Sequence, residues 1–218
     1  MTTDARKIRL VMELRQQGIT DRRVLAAIEL VPREDFVPES FQDQAYENTA
    51  LPIGHGQTIS QPAVVAYMSQ ALEIGPRMKV LEVGTGCGYQ AAVLARLCRR
   101  VYTIERYREM LRDAEARLRA LRISNVVTRW ADGMLGWPEQ APFDRVIVTA
   151  AGSEVPAALL EQLGEDGILI APVGKTSHEQ VLMRYRRETD GWRTEELWPV
   201  RFVPLVGGTV NRDGDANA

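Results

Sequence analysis

Residues 80–90 read VLEVGTGCGYQ, an apolar run that breaks into glycines at 84, 86 and 88 and passes directly into a helix-forming stretch. A strand that turns through glycines into a helix lets a ligand approach bare backbone, because no Cβ intervenes and the helix start offers free N–H groups. A dinucleotide fingerprint would place its third glycine at 89, where Tyr89 stands, so a nicotinamide-dependent oxidoreductase ranks last among the readings. No lysine follows the glycines to grip a phosphate, which removes the P-loop.

Outward from this loop, short Val/Ile/Leu-rich runs alternate with amphipathic segments: MKVLEVG, a helix near 88–98, RVYTIE, a helix near 107–121, VVTRWAD, FDRVIVTA, a helix near 155–163, and DGILIAPVG. This grammar predicts an α/β fold with a mostly parallel, doubly wound, Rossmann-like sheet covered on both faces. EQVLMRYRRE and TEELWPVRFVPLV follow without a helix between them and read as an antiparallel edge. Upstream, helices are predicted over 4–17, closed by Gly18, and over about 21–30. Residues 32–62 carry Pro and Gly without periodicity and read as a structured loop. A helix with Pro62 in its first turn covers 62–73. The expected organisation is 1–75 as N-terminal helices and a covering loop packed on the core, 76–210 as the core, and the polar tail 211–218 as disordered.

Two acids complete the pattern. The second predicted strand ends on Glu105, where a carboxylate can accept both hydroxyls of a ribose. The third ends in Asp132 and Gly133 at the same sheet edge, where an Asp can accept from an exocyclic amine such as that of adenine. Taken alone, an acid ending a strand, as Glu105 does, also has a plainer use as a helix cap or a solvated charge.

Composition excludes other classes. The 218 residues carry 27 Lys and Arg against 29 Asp and Glu, a net charge of −2, so there is no basic excess for a nucleic-acid backbone. The charged start MTTDARKIRLVMELRQQ has no apolar run suited to a signal peptide or membrane span, and a cytoplasmic location without membrane partners is expected. Only Cys87, Cys98, His55 and His178 represent their residue types, with no spacing that suits a disulfide framework or a zinc site.

Together, the glycine loop, the acid after strand two and the DG after strand three resemble class I S-adenosylmethionine-dependent methyltransferases over about residues 76–174. A longer series extends the likeness: VPREDFVP, AYEN with LPIGHGQTISQP, VLEVGTGCGYQ, YTIER, ADG with GW, FDRVIVTAA and RFVPLV. In order from about 31 to 206, these blocks resemble the protein-L-isoaspartate O-methyltransferase family. The resemblance implies S-adenosylmethionine as cofactor, S-adenosylhomocysteine as product and no metal. It implies a methyl acceptor in the α-carboxylate of L-isoaspartyl residues, so that damaged proteins and peptides are the partners and repair proceeds through a succinimide. It further implies that Thr58, Ile59 and Ser60 border the cofactor, Gly84 and Gly86 approach its methionine part, Glu105 holds its ribose, and Asp132 with Gly133 meets its adenine end. Ser60 is then the catalytic residue, orienting the acceptor, and a monomer is expected. Cys87 stands where many relatives carry serine, and Val206 where some present a threonine hydroxyl, which leaves that cofactor contact open.

Residues 54–62, GHGQTISQP, also invite a different reading of Ser60 as a nucleophile. That needs a base oriented by a third group, and only His55 and His178 are available. A carboxyl acceptor, with a pKa of roughly 4, is already ionised at neutral pH and needs no base. The plain structural use of Thr58 and Ser60 is capping of the helix that starts at Pro62. His55 is as easily a turn residue, Trp130 and Trp137 read as packing aromatics rather than adenine platforms, and RYREMLRDAEARLRALR reads as a solvated helix face. The competing functions are a related methyltransferase with another acceptor, such as RNA or a metabolite, and a non-catalytic module that binds isoaspartyl peptides or the cofactor.

Overall fold

In the computed structural model, residues 2–176, 178–211, 216 and 217 are described. Helix α1 (Thr3–Gln16) starts where the Thr2 hydroxyl accepts from Ala5 N and buries Leu10 and Leu14. Gly18, at φ +90°, ends it. Helix α2 (Arg22–Leu30) is capped by the Asp21 carboxylate on Arg23 N and buries Val24, Leu25, Ala27 and Ile28.

The stretch 32–62 has more structure than its composition predicts. It contains two 3-10 turns, Arg33–Phe36 and Glu39–Gln44, and an antiparallel hairpin of β1 (Leu51–Gly54) and β2 (Gln57–Ile59). Strands of three and four residues are too short to declare a period. The hairpin is set instead by its turn, where His55 and Gly56 have φ of 51° and 66°. Two left-handed residues in succession match the right-handed twist of the flanking strands.

Helix α3 (Pro62–Ala71) begins on proline as expected, but neither Thr58 nor Ser60 caps it. The residue before Pro62, Gln61, makes no side-chain cap bond, and the first free donor, Ala63 N, goes to Asn48 Oδ1 at 3.0 Å. Asn48 is itself held by Glu13 and Gln17 of the α1 end.

The core follows: β3 (Lys79–Val83), α4 (Tyr89–Ala95), β4 (Arg100–Glu105), α5 (Arg108–Ala120), β5 (Val126–Trp130), β6 (Phe143–Val148), α6 (Ala157–Glu161), β7 (Leu163–Val173), β8 (Gln180–Glu188) and β9 (Gly191–Val200). Seven strands form one sheet in the order β5-β4-β3-β6-β7-β8-β9. The first five are parallel, and β8 and β9 are antiparallel. Side chains of β3 alternate between two apolar clusters, Val80 in one and Leu81 with Val83 in the other. Each face of the sheet is thus covered, as near-continuous apolar strands require, and each such burial contributes roughly 1.5–3 kcal/mol. Helix α5 buries Met110, Leu111, Ala114 and Leu118 and leaves its charges outward.

RFVPLV does not continue the last strand. Pairing of β8 with β9 ends at Gln180 opposite Val200, after which the Gln180 side chain brackets Phe202 N and C=O at 2.6 and 3.2 Å. The chain then crosses the carboxyl end of β6, where Ala151 N donates to Val203 C=O and Leu205 N to Ala151 C=O, at 2.8 and 2.7 Å. Pro204 sits between these bonds, where its missing N–H costs nothing. Beyond it, β10 (Thr209–Val210) pairs with β11 (Ala216–Asn217). Of the tail 211–218 expected to be disordered, residues 216 and 217 are instead paired in this ladder, and 212–215 and 218 lie outside the described residues. Among the described residues, no helix is long and apolar enough to cross a membrane.

Candidate active site

The cleft lies at the carboxyl ends of β3, β4 and β6, where ligands of open α/β sheets bind. Its floor is the glycine loop. Gly84 N and Thr85 N both donate to Ile104 C=O, at 2.9 and 3.1 Å, so the loop stays pinned to β4 as it leaves β3. Gly84 has φ +100°, and a Cβ there would stand 2.3 Å from Thr149 Oγ1. That hydroxyl lies 3.0 Å from Val83 C=O and 2.8 Å from Gly84 C=O. Conformation and space together restrict the position to glycine.

Glu105 ends β4 with its side chain turned to the loop. Oε2 accepts from Gly86 N at 2.9 Å and Oε1 from Tyr107 N at 3.0 Å. Burial pushes this carboxyl up from its ordinary range, and these backbone donors pull it back. Both oxygens are oriented by amides, and each retains a lone pair for a further donor.

A second carboxyl lies underneath. Glu82 on β3 is fully buried; Thr103 Oγ1 donates to its Oε2 at 2.5 Å, and Thr103 meets Thr85 Oγ1 at 2.6 Å. Among the described residues its Oε1 has no partner. Burial pushes Glu82 up to about 8, opposed by the Thr103 bond and assisted by the neighbouring Glu105 charge. Its environment thus favours the protonated form, and it is joined through two threonines to the glycine loop.

The hairpin supplies the opposite wall with Gln57, Thr58, Ile59 and Ser60, and the crossing segment closes a third side with Val203, Pro204, Leu205 and Val206. Val206 is among the lining residues and brings no hydroxyl to the site. Of the residues singled out from sequence, Thr58, Ile59, Ser60, Gly84, Gly86, Glu105 and Gly133 line this one cleft.

Asp132 does not line it. Its Oδ1 accepts from Met134 N at 2.8 Å and its Oδ2 from Gly208 N at 2.7 Å. The carboxylate caps the short turn that follows and ties down the end of the crossing segment. Gly133 reaches the cleft in its place, packed so closely that a Cβ would meet Val83 Cγ1 at 2.4 Å.

Trp130 donates through Nε1 to Arg106 C=O at 2.9 Å, and Trp137 packs edge-on against Tyr102, so both are packing aromatics. The His55 ring sits 5.7 Å from the Tyr107 ring at the hairpin tip. Among the described residues, no hydrogen bond joins either histidine to Ser60, and a nucleophilic serine has no base. Cys87 lines the cleft but is 5% exposed, and burial pushes its thiol up, which keeps it protonated and unreactive. Thr149, Glu82 and the Val203–Leu205 wall escaped the sequence reading. Only a lone acid within the apolar VLEVG run signalled Glu82.

A family model described as protein-L-isoaspartate(D-aspartate) O-methyltransferase (PCMT) matches residues 5–210. A curated protein-L-isoaspartate O-methyltransferase of Rhodospirillum rubrum is 61% identical over 215 residues, covering 98% of each chain. A solved protein-L-isoaspartate O-methyltransferase superposes with a TM-score of 0.85 at 30% identity, over 92% of this chain and 66% of that one. A Plasmodium falciparum structure described under the same activity, in complex with S-adenosyl-L-homocysteine, gives a TM-score of 0.76 at 26% identity, over 90% and 96% of the two chains.

Proposed function

The chain belongs to the protein-L-isoaspartate(D-aspartate) O-methyltransferase family, and from that premise we propose how its cleft divides the work of the reaction. The enzyme transfers a methyl group from S-adenosylmethionine to the α-carboxylate of L-isoaspartyl residues in damaged proteins and peptides, starting a repair that proceeds through a succinimide. One observation supports the assignment of roles: Glu105 and Ser60 line a single cleft from different walls, with bare glycine backbone between them.

The residues present suit the cofactor. The Glu105 oxygens, each already aimed by an amide, match the two neighbouring hydroxyls of a ribose. Gly84 and Gly86 offer backbone without side chains to the methionine part, and Gly133 does so at the adenine end, with Asp132 holding the turn that carries it. Thr58 and Ile59 cover the cofactor from the hairpin. When bound, S-adenosylmethionine supplies a methyl already activated by its sulfonium, leaving a demethylated thioether as product.

What remains for the protein is alignment and exclusion of water. Ser60 donates its hydroxyl hydrogen to the acceptor carboxylate and so fixes which oxygen faces the methyl. The carboxylate is ionised at neutral pH, so neither a general base nor a metal is needed. Val203, Leu205 and Val206 keep the reacting centre apolar on the side away from the hairpin. The reading extends to a metal-free monomer working in the cytoplasm on proteins rather than nucleic acids. The near balance of 27 basic against 29 acidic residues supports the choice of proteins over nucleic acids.

The test is methyl transfer from labelled S-adenosylmethionine to two peptides that differ only in L-isoaspartate or L-aspartate at one position. A base-labile label on the isoaspartyl peptide alone is the expected result. Equal labelling of both, or of neither while the cofactor still binds, would remove the proposed acceptor.

A further inference from the structure

Arg33, in the turn that follows α2, is 0% exposed. Its Nη2 donates to Ser60 C=O at 2.9 Å and lies 3.3 Å from Thr49 C=O. Thr49 stands just before β1 and Ser60 just after β2, so one nitrogen gathers both feet of the hairpin. The guanidinium carbon lies over the Tyr89 ring, 4.8 Å from its centroid. Tyr89 opens α4 directly after the glycine loop and lines the cleft.

This is a costly way to hold a fold together. Among the described residues, Nε and Nη1 meet no acceptor and no carboxylate forms an ion pair with Arg33. Burial pushes the guanidinium below its ordinary value, yet an arginine keeps its charge. A buried cation without a counter-ion is destabilising relative to an apolar side chain of similar length. The arrangement makes sense where the position of the groups it touches matters more than stability.

Those groups carry the two halves of the reaction. The donor side rests on the loop between β3 and α4, and the acceptor side on a hairpin that forms its own two-stranded sheet, separate from the main one. A lone hairpin of this length is marginal on its own, so its aim relative to the loop must be set by side chains. Arg33 touches both elements. We propose that Arg33 is a positioning residue for methyl transfer, fixing Ser60 relative to the glycine loop and thereby the acceptor carboxylate relative to the methyl donor. The inference rests on the role given to Ser60 above. A displacement of about 1 Å at a reacting centre can cost on the order of 100-fold in rate.

The experiment compares Arg33→Lys, Ser60→Ala and the double variant with the parent enzyme. Lysine keeps the charge and most of the length but replaces the planar fork by a single rotating donor. The readouts are kcat with saturating isoaspartyl peptide, the Kd of S-adenosylmethionine, and Tm. The expected result for Arg33→Lys is a kcat lower by about 10- to 100-fold with cofactor Kd within about threefold, and no further loss when it is added to Ser60→Ala, because both changes remove one function. An Arg33→Lys enzyme that is less stable but turns over at the parent rate makes Arg33 a structural residue only and overturns the inference. So do rate losses that multiply in the double variant while Ser60→Ala alone is slow. A fast Ser60→Ala enzyme brings down the Ser60 role and this inference together. Should Arg33→Lys not fold, Arg33→Gln, which keeps a planar N–H donor, is read by the same outcomes.

Discussion

Replacing Glu82 by glutamine should make the enzyme's stability less dependent on pH. Glu82 is fully buried, with Oε1 unpartnered and Oε2 holding Thr103. In the folded protein its carboxyl is pushed up from 4.5 to about 8, so between these values the native state holds a proton that the unfolded chain has lost. Stability therefore falls with rising pH across this window: the contribution is full below about pH 4.5, erodes from there upward, and is gone above about pH 8. The interval corresponds to roughly 5 kcal/mol at about 1.4 kcal/mol per pH unit, a large part of the 5–15 kcal/mol that holds a typical domain together. Glutamine keeps the shape and a carbonyl acceptor for Thr103 but cannot ionise. Urea unfolding of both proteins at pH 5 and pH 8 checks this, since all other titrating groups are shared and cancel in the difference. The expected result is similar stability near pH 5 and a glutamine variant more stable by several kcal/mol at pH 8. A difference that stays constant within about 1 kcal/mol between the two pH values, against a change of roughly 3.5 kcal/mol expected from pH 5 to pH 8, would show that Glu82 is not protonated in the native protein.

Glu105→Gln should weaken S-adenosylmethionine binding by about 10- to 100-fold, because a side-chain amide cannot accept from both Gly86 N and Tyr107 N and still receive two hydroxyls; calorimetric affinities equal to the parent's would refute the ribose assignment. Gly84→Ala should destabilise by about 2–4 kcal/mol, from the left-handed backbone and the approach to Thr149 Oγ1. Thermal unfolding should show Tm lower by about 5–15 °C, and an unchanged Tm would mean that the loop relaxes freely. Asn48→Ala removes the bond to Ala63 N and the ties to Glu13 and Gln17, and should cost about 1–2 kcal/mol in denaturant unfolding. No loss would mean that water replaces the cap.

What the sequence determined by itself was written in local patterns. Alternating apolar runs and amphipathic helices announce a sheet covered on both faces, and the turn at 84–88 marks its ligand edge, because strand and helix periods and glycine conformation are properties of neighbouring residues. Glu105 was legible for the same reason, standing at the end of a recognisable strand, and the ordered blocks from VPREDFVP to RFVPLV carried the family. The hairpin at 51–59 was not legible, since three- and four-residue strands have no period to detect. The departure of residues 201–206 from the sheet depends on the bracket formed by Gln180 and on Ala151, both far away along the chain. Only the folded chain decided that Asp132, beside the cleft in sequence, gives its oxygens to backbone and anchors Gly208 across 76 residues, or that Arg33 closes on Ser60 across 27. Such pairings arise from which surfaces the packed sheet and helices bring together, and side-chain hydrogen bonds between distant segments leave no local pattern by which a reader of the sequence could find them.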